Sequence, residues 1–460
     1  MIPMTLREVA RVAGGHVEGD ADVVVSGAAY LDSRAPVPGG LFVALAGDRV
    51  DGHECAAGAH AVLGSRATAA PTVVVRDPMV GLARLARHVV DAVRPTVLAV
   101  TGSNGKTGTK DHLATLLPGG LVTAGNLNNE LGVPITCLGL RPSTEQLVLE
   151  MGARGIGHLS WLCEIAPPTV AAVLGVGTAH VGQFGSTELT ACAKGELVEA
   201  LDAGGTAVLN ADDPRVAAMA ARTVARVLTF GATGEVTWRS MALDELGRPS
   251  FELGYGGAWT PVRLTRVGAH QVTNATAAAA MALAVGEPLD AIAARLSRSP
   301  AASPHRMQLR FRRDGLLVLD DTYNANPESV AAALDTLVAV GRRRPGRTVA
   351  VLGEMRELGG LAFGAHRAVG RHARELGVDV VVSVGAAAAG IALAAGGLPM
   401  AGRDDALAWL ADELEPGDAV LVKGSRAGGL EALVDALLTN GRMEPWTPPG
   451  APRSPPPANA

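Results

Sequence analysis

Apolar and polar positions along this chain repeat with two periods, one helical and one strand-like, and the two take turns. Near the N-terminus Leu6, Val9, Ala10 and Ala13 recur at helical spacing behind the capping-box pattern Thr5-x-x-Glu8, and Gly14-Gly15 stops the run. Apolar runs at 23–25, 41–45 and 73–75 predict short strands. Leu82, Leu85, Ala86, Val89, Val90 and Val93 predict an amphipathic helix over 79–93, which leads through Pro95 into the next strand. Strand-like runs at 97–100, 146–150, 170–176, 207–209 and 227–230 then alternate with helical patterns. That alternation predicts a mostly parallel sheet with helices on both faces. A further series starts near Gly315, with strands at 316–319, 349–352, 380–384 and 419–422 and a helix running through Val340.

The fold class expected from this pattern is α/β in three domains. Residues 1–77 form a small N-terminal α/β domain. Residues 78–313 form a central domain of alternating strands and helices. Residues 314–440 form a smaller doubly wound, Rossmann-like domain. The last lacks a G-x-G-x-x-G fingerprint, which argues against a dinucleotide site. The Pro-rich stretch 441–460 is expected to be disordered.

The central pattern pivots on VLAVTGSNGKTGTKDHLATLL, residues 97–117. An apolar run ends at Thr101; Gly102, Ser103, Asn104, Gly105, Lys106 and Thr107 follow, and a helical pattern runs on to Pro118. Loop amides and the positive end of a helix make an anion cradle. Lys106 would reach the outer phosphates of a nucleotide and Thr107 would hold Mg²⁺. Val100 stands where the usual spacing has a glycine, so the loop is a shortened one. The plain alternative is a glycine-rich strand-to-helix turn with a stray lysine.

Composition changes the picture at three points. The net charge of −5 gives no reason to expect nucleic acid, and no stretch is apolar enough to span a bilayer. The N-terminus does not read as a signal peptide. Cys55, Cys137, Cys163 and Cys192 are widely spaced and read as buried free thiols in a reducing cytoplasm. More telling, the chain has only four lysines, Lys106, Lys110, Lys194 and Lys423, with arginine at the other 36 cationic positions. A chain that uses arginine by default keeps lysine where a compact amine that can turn neutral is needed. Chance retention is a reasonable account of Lys110 and a poor one for all four.

In parallel sheets ligands sit beyond the carboxyl ends of the strands. Glu150 ends one strand, His180 follows another in GTAHVGQFGS, and Lys194 lies in the helix pattern ACAKGELVEAL. A carboxylate there suits Mg²⁺; a helix-cap partner is the alternative for Glu150. A satisfied loop histidine is the commoner role for a residue such as His180, because Mg²⁺ prefers oxygen.

Taken together, the segments LDSRAPVPGGLFVALAGDRVDGH, TGSNGKT, AGNLNNELGVP, GTAHVGQFGS, DDTYNANPES, VLGEMRELG and LVKGSR resemble those of the Mur ligases. These are ATP-dependent amide-forming enzymes of peptidoglycan precursor synthesis. The resemblance runs from Leu31 to about residue 438. AGNLNNELGVP and DDTYNANP are similar to the segments of members that join D-alanyl-D-alanine to UDP-N-acetylmuramoyl-tripeptide.

The resemblance implies roles for matching positions. Lys106 and Thr107 would bind ATP phosphates and a first Mg²⁺, with Glu150 as a metal ligand and His180 as the ligand of a second Mg²⁺. Lys194 would be the lysine carbamylated by CO₂. Asn274 would lie beside the adenine, and Arg306 would touch the γ-phosphate. Asp321, Tyr323 and Asn324 would make nucleotide contacts from the third domain. Ser33 and Arg34 resemble the site for the uridine end; Asn126, Asn128 and Asn129 would lie near the muramoyl peptide. Lys423 would either touch the substrate's phosphate or support its turn. Gly108 departs from the family where a second threonine often follows Thr107, and Gln271 replaces a common asparagine. A cytoplasmic monomer is expected. The rivals are a sister ligase adding a diamino acid, a phosphate-loop kinase or NTPase, and a non-catalytic UDP-sugar binder.

Overall fold

The computed structural model describes residues 1–47, 50–179, 181–300 and 303–439. His180, Asp48, Arg49 and the tail expectation for 441–460 lie outside the described residues. The protein is mixed α/β, built on two six-stranded sheets and one five-stranded sheet. Its residues fall into two compact units: 1–242 with 249–265 and 270–303, and 243–248 with 266–269 and 304 onward. No helix among the described residues is long and apolar enough to cross a membrane.

The first helix, Leu6–Ala13, carries the capping box read from Thr5 and Glu8 and stops at Gly14, whose φ of 78° needs no Cβ to avoid. It packs on a five-stranded sheet with the order His16–Glu18, Thr72–Val74, Ala61–Gly64, Leu41–Val43, Ala29–Tyr30. The helix Pro78–Val93 begins on an Asp77 cap with proline in its first turn and places Leu82, Leu85 and Val89 in one core with the N-terminal sheet.

The central sheet has the order Arg226–Phe230, Thr206–Asn210, Val170–Val173, Thr96–Thr101, Gln146–Glu150, Leu121–Val122, and every pairing in it is parallel. Side chains alternate between its faces. Val97 and Ala99 enter the core under helix Pro78–Val93, while Leu98 and Val100 enter a second core with Leu113 and Leu116. Leu113 and Leu116 are fully buried, each contributing about 2–3 kcal/mol by area removed from water. Beside them runs the helix His270–Ala284, whose buried face is largely alanine. Small side chains let it approach the helix Lys106–Leu116 closely. A Cβ on Gly108 would lie 2.7 Å from Asn274 Nδ2, so the departure to glycine makes room for that asparagine. Residues 237–263 form a three-stranded sheet that the apolar pattern did not announce.

The second unit holds the other six-stranded sheet, ordered Gln308–Phe311, Leu317–Asp321, Ala419–Lys423, Thr348–Leu352, Val380–Val384, Leu398–Met400. Only its first strand is antiparallel to its neighbour. Both faces are covered, one by the helices Pro327–Gly341 and Ala362–Glu375, the other by Arg403–Glu413 and Glu431–Thr439. One expectation about the cysteines needs correction. Cys137 and Cys163 are buried, but Cys55 is half-buried and Cys192 is exposed, because its helix turns that position outward.

Candidate active site

In the first unit three strand ends converge. Glu150 pairs with Val100, and Val173 with Thr101, so the phosphate loop emerges between the two neighbouring strands. Ser103 ties it in place: its N–H donates to Gly175 O at 2.9 Å, and its Oγ accepts from Gly177 N at 2.8 Å. Gly105 caps the next helix with φ 84° and supplies no side-chain bond to the first-turn amides. Those N–H groups and the helix dipole therefore face the loop, which suits phosphate oxygens. A Cβ at Gly105 would sit 2.5 Å from Asn274 Oδ1, so this glycine is required twice over. Lys106 Nζ donates to Gly102 O at 2.6 Å, folding its charge over the loop. Thr107 is buried and Asn104 half-buried beside it.

Glu150 is 2% exposed. Its Oε1 accepts from Asn128 Nδ2 at 2.7 Å, and its Oε2 has no hydrogen-bond partner among the described residues. Asn128 O in turn accepts from Gly152 N at 2.8 Å, bracing the chain just beyond Glu150. Asn129 Oδ1 accepts from Gly132 N at 3.0 Å and starts the helix Gly132–Leu138, whereas Asn126 is exposed.

Lys194 is buried in the helix Thr187–Glu199. Burial pushes its amine well below the usual lysine range, and the Lys106 ammonium adds to the shift. Two residues further on, Glu196 accepts from Gly157 N at 2.6 Å and Ser160 N at 3.0 Å, fixing the helix that follows Glu150's strand.

Lys110 has a structural reason to be lysine that its sequence context hid. It is buried, pairs with Asp111 at 3.0 Å and donates to Thr123 O at 3.1 Å. Thr123 Oγ1 then accepts from Glu150 N at 3.1 Å. Lys110 and Thr123 thus brace the strand end that bears Glu150; chance retention, a reasonable account of Lys110 from the sequence, gives way to this role, and nothing in the sequence pointed to Thr123.

The second unit gathers its own cluster. Lys423 Nζ donates to Asp321 Oδ2 at 2.5 Å and to Asn324 O at 2.7 Å, so here the lysine supports the turn. Arg306 lies over the Tyr323 ring at 4.0 Å and Arg426 approaches the same ring at 5.2 Å. Replacing Asp321 by asparagine strands a buried ammonium, with an expected loss of about 3–5 kcal/mol. Urea unfolding should show it, and adding Lys423→Met should recover most of it; an unchanged midpoint in Asp321→Asn counts against the pair. A cavity of about 320 Å³ opens at the carboxyl ends of three strands of this sheet, with Glu354, Arg403 and Ser425 in its lining.

Ser33 and Arg34 stand outside the hydrogen-bond network around Glu150. Arg34 forks onto Asp32 with two 2.8 Å bonds, holding that carboxyl at about 2.

Residues 100–282 match the Mur ligase middle domain and residues 305–426 the Mur ligase, glutamate ligase domain. The UDP-N-acetylmuramoyl-tripeptide–D-alanyl-D-alanine ligase of Mycobacterium tuberculosis strain H37Rv is 43% identical, over 96% of this chain and 98% of that protein. The chain belongs to the Mur ligase family. Among solved structures of this family, MurF from Acinetobacter baumannii superposes with a TM-score of 0.87 at 32% identity, over 95% of this chain and 99% of that one. MurF ligase from Thermotoga maritima in complex with ADP gives 0.78 at 31% identity, covering 90% and 98%.

For a Mur ligase the question is whether these residues fit Mg²⁺. They do on one ground: Glu150 Oε2 is a buried, anionic, hard oxygen without a protein donor. Among the described residues no three His, Cys, Asp or Glu side chains cluster, so further oxygen ligands would come from Thr107, from a modified Lys194 or from the nucleotide.

Proposed function

We infer that this chain is an ATP-dependent amide ligase of peptidoglycan precursor synthesis, joining D-alanyl-D-alanine to UDP-N-acetylmuramoyl-tripeptide and releasing ADP and phosphate. The observation that carries the chemistry is a phosphate loop with a half-satisfied buried carboxylate at the neighbouring strand end, together with a buried amine whose pKa burial and the loop's Lys106 lower. The whole-length relationship to ligases of that name supports the choice of substrates.

The terminal carboxylate of the tripeptide is a poor electrophile, because it is anionic and resonance-stabilised. Transfer of the γ-phosphoryl group makes it an acyl phosphate, whose phosphate is a good leaving group. The dipeptide's free amine then attacks the carbonyl carbon, phosphate departs and the amine's proton is lost. Two anions must first meet, and this chain's charges offset their repulsion. The loop amides and Lys106 hold the phosphates, and Arg306 brings a cation to the γ-phosphate. We assign Asn274 to the adenine, and Asp321, Tyr323 and Asn324 to nucleotide contacts. Bound Mg²⁺, two ions held by Thr107, Glu150, His180 and Lys194, would supply Lewis-acid charge stabilisation.

Lys194 enters that set as a carbamate: its neutral Nζ adds to the carbon of CO₂ and loses a proton, leaving an anionic oxygen donor. Ser33 and Arg34 take the uridine end, and Asn126, Asn128 and Asn129 lie near the muramoyl peptide. Glu354 and Arg403 line a cavity of suitable size for a small zwitterion, and we assign the dipeptide to it. The enzyme works in the cytoplasm, where ATP is supplied.

The test is phosphate release by the purified protein with Mg²⁺ and bicarbonate. It should require both UDP-N-acetylmuramoyl-tripeptide and D-alanyl-D-alanine and yield the lengthened nucleotide. Release with neither peptide partner identifies an NTPase instead. Release with the dipeptide nucleotide plus a free diamino acid identifies the sister ligase.

A further inference from the structure

We propose that His305 is a positioning residue for Arg306, gripping a strained turn that aims the guanidinium. His305 has φ +60° and Met307 φ +48°, so Arg306 sits between two side-chain-bearing residues in the left-handed region. That region crowds Cβ against the following carbonyl, and glycine or asparagine is its ordinary occupant. Such a conformation persists only where surrounding bonds over-determine it.

Those bonds come from two consecutive carboxylates at the end of the strand Leu317–Asp321. His305 Nδ1 lies 2.9 Å from Oδ2 of Asp320, which is fully buried. Asp320 Oδ1 is itself held by the Thr322 hydroxyl at 2.8 Å, and Arg310 Nη1 stands 3.9 Å from Oδ2. On the other side Met307 N donates to Asp321 Oδ1 at 3.1 Å. Tyr323 N closes the turn by donating to His305 O at 3.2 Å, and the same tyrosine supplies the ring beneath Arg306. The arginine is clamped on both flanks and underneath. A glycine at 305 would relax the backbone, but it could not reach Asp320. The histidine is there for the grip.

This inference rests on reading Arg306 as the contact to the terminal phosphate of ATP. The full-length protein is therefore tested first without peptide substrates, by comparing its affinity for Mg²⁺-ADP with that for a non-hydrolysable Mg²⁺-ATP analogue. Wild type should prefer the triphosphate. His305→Ala should lose about tenfold of that preference while ADP affinity stays within about twofold, and kcat should fall by a similar factor. His305→Asn tolerates the left-handed backbone and can still donate to Asp320, so it should recover most of the loss. His305→Gly should stay impaired. Wild-type behaviour in His305→Gly overturns the proposal, because backbone relief alone would then suffice. So does an equal loss of ADP and triphosphate affinity, which would mark a general structural role. Combining His305→Ala with Arg306→Ala should add nothing to Arg306→Ala alone, and additive losses refute the link. Failure of the ligase reading shows separately, as absence of lengthened nucleotide from wild type.

Discussion

Lys194→Arg is expected to abolish ligation, with kcat down about a thousandfold or more, the equivalent of roughly 4 kcal/mol of transition-state stabilisation. Arginine keeps the charge and nearly the length but cannot become neutral, so it cannot take up CO₂. It would also set a permanent cation in a buried place beside Lys106. Single-turnover assays with and without bicarbonate check this; turnover within about threefold of wild type in Lys194→Arg would remove the carbamate from the mechanism.

The same residue makes a second, opposite expectation about stability. In metal-free, CO₂-depleted buffer the folded protein holds this amine at a lowered pKa, while the unfolded chain titrates near the ordinary value of about 10.4. Between those two values the unfolded state binds the extra proton. Stability therefore rises with pH across that window and levels off above it. At neutral pH wild type carries the penalty, and Lys194→Met should be more stable by about 1 kcal/mol or more while inactive. A destabilised Lys194→Met would mean that the amine is satisfied in the fold after all.

Glu150→Gln should be the next most damaging change, lowering kcat by about a hundredfold to a thousandfold and raising the Mg²⁺ concentration needed for half-maximal rate. The substitution is nearly isosteric. The glutamine carbonyl can still accept from Asn128 Nδ2, so the strand end and the 124–129 segment should keep their places. What is lost is one negative charge at the buried oxygen that no described donor satisfies. Thermal unfolding of the variant should match or exceed wild type, because an uncompensated buried charge has been removed. A variant with the wild-type Mg²⁺ dependence and near-normal turnover would show that Glu150 only braces its loop.

Where the chain was legible, a physical reason can be given. The strands Gln146–Glu150 and Val380–Val384 were read to the residue, since each is an apolar run buried on both faces of a parallel sheet. The capping box at Thr5 and Glu8 was equally plain, because its two partners are three residues apart. Strands of two residues, such as Ala29–Tyr30 and Leu121–Val122, are too short to express a period. The sheet spanning 237–263 was missed because its first strand is half-exposed and carries polar and apolar residues with little order.

The site divides in the same way. Lys106, Glu150 and Lys194 could be singled out as candidates by type and position alone. Asn128 bonding Glu150, Thr123 bracing its backbone and His305 reaching Asp320 each depend on a partner 15 to 27 positions away in the chain, which no local pattern encodes. Nor could the sequence show that 243–248 and 266–269 join the second unit, since that membership is set by packing alone.

The cysteine arrangement has a practical use. Burial pushes the Cys137 and Cys163 thiols up to about 12, so at neutral pH both are inert toward alkylating reagents. Cys192 is open to solvent on the helix that bears Lys194, with Cys55 as its half-covered competitor. Removing Cys55 alone would leave one reactive handle for a fluorophore, half a turn from the amine proposed to take up CO₂.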